Sequence, residues 1–210
     1  MVQTLVTILD WFGLCVFSVT GALVASRKRM DIVGFALLGS VTGIGGGTIR
    51  DVLLGIQPVF WIKEPTTLLI CVLVSCVTFF IAHVFHHRFR SLLWFDAIGL
   101  ALFAITGASS ALVHYVHPMI AIAMGVATAT FGGIIRDILG GESPIILRQE
   151  VYITAALVGS AIFVILLSLQ VPQDLAVAAG FISGFSLRAA ALYWGLSLPR
   201  YRPRDLADHD

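Results

Sequence analysis

Seven apolar runs, each about twenty residues long, leave this chain few folds to choose from. A bilayer's hydrocarbon core is ~30 Å thick, and a helix rising ~1.5 Å per residue crosses it in ~20 residues. The runs lie near 5–26, 32–50, 66–85, 92–115, 118–138, 151–170 and 174–197. Turn-forming and charged segments separate them: RKRMD, GIQPVFWIKEP, HHRFR, HYVHP, GGESPIILRQE and QVPQD. None alternates apolar with polar residues as barrel strands do, so the fold class is an all-α membrane protein of seven transmembrane helices. Composition agrees. Of 210 residues 58% are hydrophobic and 12% charged, about half the ~25% of a soluble domain. A net charge of +1 offers no basic surface for nucleic acid. Cys15, Cys71 and Cys76 all fall inside apolar runs and read as small packing residues, not as a disulfide framework.

The opening MVQTLVTILD lacks a basic leader, and the first run ends at Arg27-Lys28-Arg29, so it reads as a retained helix. Basic residues follow alternate spans: Arg27, Lys28 and Arg29 the first, Arg88 and Arg90 the third, Arg148 the fifth, Arg200, Arg202 and Arg204 the seventh. The other loops hold only Lys63, beside Glu64, and Asp174. The positive-inside rule then predicts an outer N-terminus and a cytoplasmic C-terminus.

The chain also repeats itself. Displaced by 86 residues, DWFGLCVFSVTGA from Asp10 falls on DAIGLALFAITGA from Asp96, and GGTIRDVLLGIQP from Gly46 on GGIIRDILGGESP from Gly132. Between 10–64 and 96–150, 19 of 55 positions are identical without a gap, among them Arg50/Arg136, Asp51/Asp137 and Glu64/Glu150. One transmembrane domain therefore holds two units, about 5–85 and 92–170, then a seventh helix at about 174–197 and a polar tail, 199–210. Three spans per unit is an odd number, so the second unit enters from the opposite face. This inverted arrangement is typical of transport proteins, with the permeation site at the repeat interface.

Chemistry concentrates in the second and fifth spans. Glycine in a helix is ~1 kcal/mol worse than alanine, so Gly45, Gly46 and Gly47, and Gly132 and Gly133, invite a break. Opened backbone at that depth must be buried in protein or line water. The predicted ion path uses the freed carbonyls with Thr42, Thr48, Thr128 and Thr130; close helix packing of small residues is the competing explanation. Buried charges cost ~2.5–3.5 kcal/mol each on insertion scales and usually pair. Adjacent helical residues point ~100° apart, which disfavours Arg50 bonding its own Asp51. Asp10 lies at the same depth as Arg50. The predicted pairs are therefore Asp10–Arg50 and Asp96–Arg136, leaving Asp51 and Asp137 to face the path. Arg188 in the seventh span is predicted to cap a cavity on its cytoplasmic side. His83, His86 and His87, with His114 and His117, read as interface residues and have no zinc spacing. No phosphate loop or nucleophile elbow is present, and neither an enzyme nor a cofactor is implied.

The paired GGTIRD and GGIIRD blocks in a seven-span chain of this length resemble the prokaryotic TRIC (trimeric intracellular cation) channels over about residues 5–197. Bacterial members of that family also carry the label of glycine transporters. The resemblance implies a homotrimer with one pore per protomer, bounded by two glycine-bent helices and passing monovalent cations, K⁺ and Na⁺, across the inner membrane. By motif the bends are Gly45, Gly46 and Gly47, and Gly132 and Gly133. Phe131 stands where the second block would have its first glycine, which marks it as a hydrophobic gate. Animal members carry basic residues near the bend that bind phosphoinositide; no matching lysine occurs here. The rival to a channel is a secondary carrier of a small amino acid such as glycine, with Arg50 or Arg136 clamping its carboxylate.

Overall fold

The computed structural model describes residues 2–84, 88–147 and 151–198. His86, His87, Arg148, Glu150, the tail arginines Arg200, Arg202 and Arg204, and the rest of the polar tail lie outside the described residues. The chain forms α1 (Val2–Arg27), α2 (Ile32–Leu53), the four-residue α3 (Phe60–Lys63), α4 (Thr66–Ile81), α5 (Arg88–Val113), α6 (Pro118–Leu139), α7 (Ile153–Ser168) and α8 (Gln173–Trp194). Single 3₁₀ turns at Ala82–Val84 and Ile145–Leu147 follow α4 and α6. Among the described residues six helices are long and apolar enough to cross a membrane, α4 with its 3₁₀ turn among them. In place of a span over 151–170 stands α7, with 16 residues. Local chemistry sets the ends. Asp31 accepts the Gly34 N–H at 2.8 Å to start α2, Pro118 opens α6, and Gly195 ends α8 in the left-handed conformation.

Helices α1, α2 and α4 pack together, as do α5, α6 and α7. The two groups meet where α1 packs on α5 and α2 on α6, and α8 lies against α7 and α5. The expectation of broken second and fifth spans is corrected here. Both α2 and α6 run as continuous helices through their glycines. The glycines serve close approach instead. A Cβ on Gly46 would strike the Thr128 carbonyl oxygen, and one on Gly132 would lie 2.6 Å from that of Thr42. Thr42 and Thr128, like Gly46 and Gly132, are 86 apart in sequence, so the two contacts are reciprocal. Backbone meets backbone at this crossing, and helix hydrogen bonds need not open to relieve anything. Packing of small residues explains these glycines. The same device docks α8: a Cβ on Gly180 would lie 2.9 Å from the Gly159 carbonyl oxygen of α7, and one on Gly184 would lie 3.3 Å from the Gly159 Cα.

The crossing predicts a sharp difference between neighbours. Gly46→Ala is expected to destabilise the protein by about 1–3 kcal/mol, as overpacking against an immovable backbone does. Gly45→Ala meets the terminal Cδ1 of Ile135 at 3.0 Å, which can swing aside, and is expected to lose less than half as much. Thermal unfolding in detergent measures both.

Candidate functional site

Each Arg-Asp pair sits in the last turn of its helix and ties the following loop back. Arg50 places Nε 2.9 Å and Nη2 2.8 Å from Asp51 Oδ1, and Asp51 Oδ2 accepts the Phe60 N–H at 2.8 Å. Trp61 Nε1 donates to Thr48 Oγ1 at 3.0 Å. These bonds lay α3 across the end of α2. In the second unit Arg136 Nε donates to Asp137 Oδ1 at 2.8 Å, and Asp137 Oδ2 accepts the Ile145 N–H at 2.9 Å.

Two expectations are overturned by this. Arg50 and Arg136 do bond their own neighbours: the ~100° separation holds at Cβ, but the long arginine stem folds the guanidinium back over it. Asp51 and Asp137, 1% and 3% exposed, commit both oxygens to these bonds and do not face a path.

The two halves then part. Arg136 Nη1 lies 2.7 Å from Asp96 Oδ1 and 3.0 Å from Thr20 Oγ1, with Arg136, Asp96 and Thr20 all fully buried. The guanidinium of Arg188, also fully buried, lies 5.0 Å from the ring centroid of Tyr152, whose hydroxyl approaches Gly133. This cluster is packed shut, so Arg188 joins a closed core instead of capping a cavity.

In the first unit the predicted Asp10–Arg50 pair does not form. Among the described residues no ion pair joins them. Asp10 stays within electrostatic reach of Arg50, and between them opens a cavity of about 200 Å³. Its wall takes Thr7, Asp10, Trp11 and Leu14 from α1, Gly43, Gly47 and Arg50 from α2, and Phe60 from α3. Glu64, Thr67, Phe103 and Thr128 complete it. The Arg50 guanidinium stands 5.7 Å from the Phe60 ring centroid.

Of the residues singled out in the sequence, Asp10, Gly47, Arg50 and Thr128 therefore meet at one site. Thr42, Thr128 and Thr130 return their hydroxyls to Leu38, Met124 and Val126 carbonyls of their own helices. Thr48 does the same to Ile44 and, with Gly45, lines a separate apolar recess beside Trp61. Phe131, Gly132 and Gly133 are not in the cavity wall. Sequence reasoning missed Thr7, Trp11, Phe60, Thr67 and Phe103. A signal existed for part of the wall: Thr7, Asp10, Trp11 and Leu14 form one helical stripe, as do Gly43, Gly47 and Arg50.

This geometry has relatives. The family described as glycine transporter matches the chain twice, over residues 7–83 and 93–168. A TRIC trimeric intracellular cation channel orthologue from Rhodobacter sphaeroides superposes with a TM-score of 0.91 at 64% identity, covering 92% of this chain and 100% of that one. The chain belongs to the prokaryotic TRIC family. The glycine-transporter description is attached to this same family. A second TRIC cation channel, solved for the basis of its conductance, matches at 36% identity and a TM-score of 0.83, covering 94% of this chain and 98% of that one. The inner membrane protein YadS of Escherichia coli K12 is 40% identical over 92% of this chain and 94% of its own length. As a TRIC-family member this chain is a multi-pass membrane protein of the inner-membrane type.

The unequal halves of this TRIC chain predict unequal mutants. Asp96→Asn leaves buried Arg136 short of a charge partner and is expected to destabilise by about 3–5 kcal/mol. Asp10→Asn breaks no ion pair and is expected to change stability by less than about 1 kcal/mol. Thermal unfolding in detergent separates the two.

Proposed function

We propose that this chain is a channel for monovalent cations, K⁺ and Na⁺, with one conduction path in each protomer of a homotrimer. The observation that carries the proposal is the cavity beside α2. Its wall holds the carboxylates of Asp10 and Glu64, while its one arginine, Arg50, is already neutralised by Asp51. The site is thus net negative, which concentrates cations. Its hydroxyls, Thr7, Thr67 and Thr128, offer the weak, multiple oxygen contacts a passive conduit needs. Solved relatives described as TRIC cation channels, one of them as a trimeric one, support both the conduction and the assembly.

In this proposal α7 also crosses, giving seven spans, and the repeats are inverted. The reciprocal contacts of Gly46 with Thr128 and Gly132 with Thr42 support a twofold relation between the units, as does the double family match. With the N-terminus outside and the C-terminus cytoplasmic, the cavity opens to the outer face. The Asp96–Arg136 cluster then closes the inner half. The proposed domain division remains two units and a final helix within one transmembrane domain.

A carrier for glycine is the second reading, favoured by the family's description and by Arg50 as a carboxylate clamp. Against it, Arg50 spends two nitrogens on Asp51. Planar-bilayer recording decides: discrete K⁺ currents without substrate are expected, whereas saturable glycine uptake in their absence would install the carrier. Glu64→Gln combined with Asp10→Asn is expected to lower unitary K⁺ conductance by about twofold or more at low salt, and by less at high salt, where screening replaces the wall charge.

A further inference from the structure

We propose that the cavity beside α2 is a receptor site for small organic ammonium ions, held between the rings of Trp11, Phe60 and Phe103 and the carboxylates of Asp10 and Glu64. Occupancy rests on the geometry of the cavity; only its effect on current rests on the channel reading.

A path that served bare alkali cations alone would call for oxygen. This wall has oxygen, but it also brings aromatic rings from three separate elements, α1, α3 and α5, to one space. The face of an aromatic ring carries negative charge density and attracts cations, most strongly those that shed water easily. A methylated or alkylated ammonium sheds water easily and has an apolar exterior that suits the rings. A hydrated K⁺ gains little from them. The cavity already holds one organic cation against a ring: the guanidinium of Arg50 lies 5.7 Å from the Phe60 centroid.

Size and charge agree. The cavity measures about 200 Å³. That leaves room for an ammonium carrying a few methyl groups. Gly47 lets the Phe60 ring pack directly against α2, where a Cβ would lie 2.7 Å from it. Among the described residues neither Asp10 nor Glu64 is in an ion pair, so neither carboxyl is already bonded to a cation. The second unit provides the contrast. There Asp96 is bonded to Arg136 at 2.7 Å and fully buried, so the equivalent carboxylate is not offered.

The test is calorimetric titration of the full chain in detergent with tetramethylammonium chloride, against sodium chloride at equal ionic strength. Saturable binding of tetramethylammonium, absent with sodium, is expected. Trp11→Leu keeps apolar bulk but removes the ring, and is expected to weaken binding about three- to thirtyfold. Phe60→Leu provides the same test should the first variant fail to fold, and Trp94→Leu, far from the cavity wall, should bind as the parent does. No saturable heat, or equal affinity in the parent, Trp11→Leu and Phe60→Leu, overturns the proposal. In bilayers, tetramethylammonium on the outer side should reduce K⁺ current. K⁺ currents in a protein that does not bind tetramethylammonium would sink the receptor site and leave the channel standing. Ring-dependent binding in a protein without K⁺ currents would do the reverse.

Discussion

Two helix backbones in contact set the geometry of everything else. Where α2 crosses α6, Gly46 and Gly132 face the carbonyls of Thr128 and Thr42 with no room for a methyl group between. Lipid offers no hydrophobic drive for helices to associate, so close van der Waals contact over small residues has to supply it. That contact fixes how α2 and α6 are turned about their axes. One turn further on, their Arg-Asp ends are aimed away from lipid and into protein. Equivalent glycines extend the principle within each unit: a Cβ at Gly21 would meet α2 and one at Gly107 would meet α6, each at 2.5 Å.

The buried charges are tolerable because they are shared. Asp51 and Asp137 each bind an arginine with one oxygen and a loop N–H with the other. A charge that would be expensive alone thus also holds the connection to the next helix. What separates the two units is the third partner. Asp96 reaches Arg136 and, with Thr20, completes a closed network; Asp10 stands back from Arg50, and a solvent-sized space results. Near-identical sequence blocks have produced one filled and one open arrangement.

The helical class and the Asp96–Arg136 partnership were legible because each leaves a mark in the chain: apolar length, and charges at matching depth. The state of the glycine helices was not. Propensity treats Gly45–Gly47 as weak points, yet tertiary contact holds them helical, since α6 beside Gly45 and Gly46, and Phe60 beside Gly47, fill the space side chains would have taken. The neighbouring Arg-Asp bonds were hidden for a different reason. Cβ directions at fixed angular spacing say little about where a flexible guanidinium ends. Trp11, Phe60 and Phe103 enter the cavity from three elements far apart in sequence, so no local pattern announces their meeting.

In the seven-span arrangement proposed above, the shortness of α7 bears on the surrounding membrane. Its 16 residues rise only ~24 Å, some 6 Å less than the average hydrocarbon thickness. Leu157 and Ile165 on its outer side are about half exposed. Acyl chains against that flank would have to shorten or splay to avoid drawing the polar backbone at the helix ends into hydrocarbon. Bilayers of shorter lipids would relieve this mismatch, so an α7 that crosses as proposed would make the protein sensitive to acyl-chain length along that flank.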